Sequence, residues 1–181
     1  MASNRLELLK RKNAGLGGKQ KLEQKLFREH SFPTEHCRFL DLEESDVVME
    51  SGKTRFASRH REAEQEAKGC VPFVLERQLS IEKLQAATPP IPVNSADIYV
   101  VFLDSDKTGA LAMSARVFCR HWIDLVEIDP DGFSVLEQGS RNKLVIQVLV
   151  GEGTEGDMLD IGVWGNEWGE VVAGMAELAF H

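Results

Sequence analysis

Three apolar segments late in the chain, Gly132–Leu136, Lys143–Val150 and Met158–Trp164, are separated only by short, mostly Gly-containing turns. A parallel strand pair needs a crossover of a dozen or more residues, so these segments must pair antiparallel. Upstream, Asp97-Ile-Tyr-Val-Val-Phe-Leu103 is a continuous apolar run of the kind found in a buried strand. Apolar Ala110-Leu-Ala-Met113 follows a polar loop, and Ser114 can cap a helix in which Phe118, Trp122, Leu125 and Val126 share a face. Asp129-Pro-Asp-Gly132 is a turn by composition. Glu167–Phe180 closes the chain as a helix with Trp168, Val171, Val172, Met175 and Leu178 on its apolar side. This order predicts an α+β fold: an antiparallel or mixed sheet in the C-terminal half, with helices packed on one face.

The first half gives weaker signals. Residues 3–12 and 19–30 read as two charged helices, split by the glycines of Asn13-Ala-Gly-Leu-Gly-Gly18. Cys37-Arg-Phe-Leu-Asp-Leu42 and Asp46-Val-Val-Met-Glu50 read as short strands, with a turn at Ser51-Gly-Lys53. A polar helix over 59–68, an extended 70–75 and a short helix capped by Ser80 follow. Thr88-Pro-Pro-Ile-Pro-Val93 is a stiff, extended spacer. The expected organisation is therefore a basic helical arm over 1–30, a small α/β part over 31–93, and an acidic α+β part over 94–181. The last two can share one core.

Charge divides at the same spacer. Residues 1–94 carry 16 Lys/Arg and 14 Asp/Glu, whereas residues 95–181 carry 5 and 15, so the net charge of −8 belongs to the second half. An acidic half repels nucleic acid and favours basic partners. No apolar stretch is long enough to span a membrane. Charges interrupt the N-terminal apolar patch, so a signal peptide is not expected. Cys37, Cys70 and Cys119 are widely spaced and odd in number, which suits a reducing, cytoplasmic setting rather than a disulfide framework.

One local pattern points to chemistry. Tyr99-Val-Val-Phe-Leu-Asp104-Ser-Asp106-Lys-Thr108-Gly109, an apolar strand running into Asp-x-Asp-x-Thr-Gly, resembles the first motif of the haloacid dehalogenase-like phosphatases. The resemblance covers these residues alone. It implies a Mg²⁺-dependent phosphate-ester hydrolase with Asp104 as nucleophile and Asp106 as acid/base. Asp157, with Asp104 and Asp106, would complete the acidic Mg²⁺ site. That family rests on a parallel sheet, whereas the short turns noted above predict antiparallel pairing.

Other candidates are thinner. His30, His36, Cys37, His60 and Cys70 are zinc-ligand residue types without the tight paired spacing of structural zinc sites. Ala14-Gly-Leu-Gly-Gly-Lys19 has no preceding strand and has Gln20 where a phosphate loop needs Ser or Thr. The basic stretch over 10–28 offers an alternative role in nucleic-acid association, but it has little aromatic interleaving.

With no catalytic residues, metal or cofactor otherwise indicated, the chain reads as a non-enzymatic acidic protein-interaction module. In charge, size and class it is similar to the bacterial immunity proteins, inhibitors that cap basic toxin nucleases. On that reading Asp129, Asp131, Glu152, Glu155, Asp157 and Trp164 form the face for a basic protein partner.

Overall fold

The computed structural model describes residues 2–51, 78–80, 97–102, 104–129, 132–139, 143–153 and 156–163. In chain order these form α1 (Ala2–Gln24), a π-helical segment (Lys25–Glu29), β1 (Cys37–Phe39), α2 (residues 42–51) and β2 (Gln78–Ser80). There follow β3 (Asp97–Phe102), α3 (Ser105–Thr108), β4 (Leu111–Ser114), α4 (Ala115–Ile128), β5 (Gly132–Glu137), β6 (Lys143–Gly153) and β7 (Gly156–Val163). The protein is α+β, and the described strands form one sheet in the order β1-β4-β3-β5-β6-β7-β2. Every described pairing is antiparallel. The five C-terminal strands make its centre, and the short β1 and β2 close it on either side. Such three-residue flanking strands offer little unpaired edge to another chain.

The sheet buries the alternation that its sequence encodes. Ile98, Val100 and Phe102 of β3 point to one face together with Phe133, Val135, Ile146 and Val148. The α4 side chains Phe118, Trp122, Leu125 and Val126 cover that face, as their helical spacing requires, and Phe118 meets Phe133 edge-on at 6.2 Å. The Ser114 hydroxyl accepts from the Val117 amide and caps α4 as expected. Leu26, Phe32 and Cys37 from the N-terminal segment are buried in the same cluster. On the opposite face, Tyr99, Val101, Ala112 and Leu136 pack with Leu40 and Val48 of the α2 region. This second layer explains why β3 is apolar throughout rather than alternating.

Two elements differ from the sequence expectation. Residues 46–50 are helical, within α2, instead of a strand. The local cause is a capping box at Asp41-Leu-Glu-Glu44, where Asp41 Oδ1 accepts from the Glu44 amide (2.8 Å) and Glu44 Oε2 from the Asp41 amide (3.2 Å). Ser45, fully buried, anchors α2 by accepting from the Ala110 amide at 2.9 Å. The two expected N-terminal helices are one continuous α1, because Gly15 and Gly18 serve packing rather than a break. A Cβ on Gly15 would fall 2.0 Å from the Lys107 carbonyl oxygen, so this glycine lets α1 lie directly on α3.

The glycines of this stretch should therefore respond oppositely to the same change. Gly15→Ala is expected to lower stability by roughly 1–3 kcal/mol, through overpacking against backbone. Gly17, with nothing within 4 Å of its would-be Cβ, should gain about 0.5–1 kcal/mol from the same substitution. Urea unfolding of the two variants beside the wild type checks the pair. Equal effects would mean that α1 does not sit on α3.

The expected elements over 54–75, the helix after Ser80, the spacer at 88–93 and the helix at 167–180 lie outside the described residues, as does the boundary placed near residue 93.

Candidate acidic docking face

The backbone of Asp104–Gly109, with the Ser105 and Thr108 hydroxyls, is bonded into the fold. Asp104 precedes α3, and its carbonyl accepts from the Lys107 and Thr108 amides and from the Thr108 hydroxyl. Ser105, buried, takes the Phe102 amide on its hydroxyl at 2.8 Å and so ends β3. Gly109 has φ +89° and ψ 152°, a region essentially reserved for glycine, and a side chain there would run into the Leu40 carbonyl. Above this turn, Arg11 of α1 makes a bidentate pair with Asp46 (2.8 and 2.9 Å) and donates to the Asp106 carbonyl. The Asp46 hydrogen bond, with the charges of Asp46, Asp106 and Glu7, raises the guanidinium pKa. One arginine thus ties α1, α2 and α3 together.

Of the carboxylates that the phosphatase resemblance would use, Asp104 precedes α3 and Asp106 lies in its first turn. Asp104 is 68% exposed and held by Lys107 at 3.0 Å, and this contact raises the lysine pKa. Asp106 adds its charge to that of Asp104 in raising the Lys107 pKa. Asp157 lies on β7, three strands from β3, or about 14 Å across the ladder. Among the described residues, the grouping suited to a metal ion contains neither Asp104 nor Asp106. The antiparallel sheet also lacks the cleft at the carboxyl ends of parallel strands where such chemistry is housed.

What the topology does collect is a set of acidic residues at one end of the sheet, next to Lys107 and Arg11. Phe102, Phe133, Val148 and Ile161 stand in one row across β3, β5, β6 and β7. Beyond that row lie Asp104 and Asp106 after β3, and Asp129 at the entry to β5, where the Gly132 amide closes a turn onto the Asp129 carbonyl at 3.2 Å. The β6–β7 hairpin continues past Gly132↔Leu149 to Gly153↔Gly156, roughly 13 Å beyond β5, while β2 flanks its outer side as far as Met158. Glu152 and Asp157 occupy paired positions on it, and Asp160, which the sequence pattern does not mark as a docking residue, follows. From residue 144 to residue 181 the chain contains no lysine or arginine. The fold therefore brings Asp129, Glu152 and Asp157 to a common end, while Asp131, Glu155 and Trp164 lie outside the described residues.

The remaining sequence candidates separate. Cys37 is buried in the core while His36 is exposed, so the two neighbours do not share a ligand position; His60 and Cys70 are outside the described residues. Burial first, and Glu35 second, push the Cys37 thiol up to about 11. The folded state resists ionising this thiol, so its contribution to stability is complete below pH 9 and lost as pH rises toward about 11. Urea midpoints between pH 8 and pH 11 should fall along that window in the wild type and fall less in Cys37→Ala; identical slopes would remove the assignment.

The basic side chains of α1 and the π-helical segment partly face the protein's own body: Arg11 as above, Lys19 over the Phe39 ring, and Lys25 on the Ile128 carbonyl at 3.0 Å. That use weakens the case for an arm reserved for nucleic acid. No described helix is long and apolar enough to cross a membrane. No protein-family model and no curated protein matches the chain.

Proposed function

We propose that the protein is a non-enzymatic interaction module, of inhibitor or immunity type, whose acidic sheet end docks a basic protein partner. The observation that carries this reading is the β6–β7 hairpin, which extends beyond β5 within a stretch free of Lys and Arg and shares its end with Asp129. Charges of one sign on a projecting element steer an oppositely charged partner and reject partners of like charge. Glu152 and Asp157 stand at directly paired register positions, where like charges disfavour the ladder. A cation from a partner would relieve that repulsion. Elsewhere in the protein Arg11 meets Asp46 and the Asp106 carbonyl in this way.

The test is a pull-down from the native source with the wild type and with E152Q/E155Q/D157N as paired baits. The reading expects a stoichiometric basic protein on the wild type alone. Recovery of no such protein, or equal recovery on both baits, would sink it.

A further inference from the structure

We propose that His30, Asp124 and Glu127 form a binding site for a divalent transition-metal ion, with His121 as the residue that positions Asp124. Three side chains meet there from positions distant in sequence. His30 Nδ1 lies 3.2 Å from Asp124 Oδ1 and 3.9 Å from Glu127 Oε2, and one ligand atom from each of the three falls within 4.8 Å of the others. A tetrahedral ion with bonds near 2.0–2.1 Å holds its ligand atoms ~3.3 Å apart, so the cluster needs only small adjustments to close on one. With three protein ligands, a tetrahedral ion takes its fourth from water or another donor.

The surrounding structure is built to present these atoms. His121 Nδ1 contacts the other oxygen of Asp124, Oδ2, at 2.9 Å, the hydrogen-bonded support that metal-binding carboxylates ordinarily have. The Phe32 ring packs against the His121 ring, with centroids 4.6 Å apart and planes tilted by 35°. His121, Asp124 and Glu127 recur every three residues along one side of α4. The approach of His30 is as specific. The π-helical segment Lys25–Glu29 ends on the His30 amide, which donates to the Lys25 carbonyl, and Ser31 then turns the chain with φ +56°. Both features are uncommon in ordinary helices and loops, and they recur at functional sites. Together they swing His30 off the α1 axis and onto α4.

The donor set of one imidazole and two carboxylates suits Zn²⁺ and its first-row neighbours better than Mg²⁺ or Ca²⁺, which prefer oxygen alone. On ligation His30 Nδ1 must be free of its proton, which moves to Nε2 or to solvent.

The experiment is calorimetric titration of Zn²⁺ into the untagged full-length chain after chelator treatment, with Co²⁺ absorption as a second readout of coordination. The wild type should bind one Zn²⁺ and melt at a higher temperature with it. E127Q, which alters a half-exposed carboxylate and leaves the core untouched, should weaken Zn²⁺ binding at least tenfold; H30Q and D124N should abolish it. H121Q should weaken it roughly 10–100-fold while keeping the Co²⁺ spectrum of a bound ion. H36Q, on an exposed turn, should bind as the wild type does. If the wild type takes up no Zn²⁺, or if E127Q and H30Q bind it as well as the wild type, the cluster is an ion-pair network and no metal site.

Discussion

Gly109→Ala is expected to destabilise the protein by roughly 3–5 kcal/mol. Two independent causes add. A side chain at φ +89° and ψ 152° is strained wherever it occurs, and here the new Cβ would also stand 2.4 Å from the Leu40 carbonyl oxygen. That oxygen belongs to backbone which cannot easily retreat. The Leu40 amide is bonded to the Ala110 carbonyl at 2.8 Å, and Ser45 holds the Ala110 amide. Relief of the clash would break the contact that joins α2 to β4. A domain of this size typically loses about 2–4 °C per kcal/mol, so the thermal midpoint should drop by roughly 6–20 °C. A drop of only a degree or two would mean that the turn is free to rearrange, and that Asp104–Gly109 is not the fixed joint described above.

The residues around this turn also show what a sequence can and cannot state about its fold. The C-terminal sheet is legible because each of its segments states its own geometry: turns too short for crossovers, a Ser114 cap, and an apolar face on α4 at helical spacing. The sequence misleads where a residue acts through something distant along the chain. Gly15 looks like a helix breaker until Lys107 is placed beside it. The run Asp46–Glu50 has strand-forming valines, but the capping box at Asp41–Glu44 and the burial of Ser45 fix it as helix. The capping box is readable from sequence; the partner of Ser45 is not. In Asp104–Gly109 the sequence likewise shows a pattern but not its contacts, in which Ser105 ends β3, Thr108 lies beside Gly18 of α1 and Gly109 abuts Leu40. The acidic turns can be found from sequence, but their gathering at one end follows from strand order alone. The meeting of His30 with Asp124 likewise depends on the π-helical segment, which no local pattern announces.

Neutralising the hairpin acids is expected to have the largest functional effect. E152Q/D157N removes two like charges at paired positions, so the free protein should melt no lower than the wild type. Partner affinity should fall roughly 100-fold, about 2.7 kcal/mol, as expected when two close charge pairs are lost from one interface. A folding defect cannot imitate this combination of unchanged or improved stability with lost binding. Substitution of Asp97 to Asn, at the far end of β3, should leave affinity unaltered.

The most direct measurement is titration of the recovered basic protein against the wild type and E152Q/D157N at low and at physiological salt. If the sheet end is the docking face, salt weakens the wild-type complex steeply, and the double variant binds roughly 100-fold less tightly with a shallower salt dependence. If both chains bind with the same affinity and the same salt dependence, the hairpin is only a solubilising surface and the docking account is wrong.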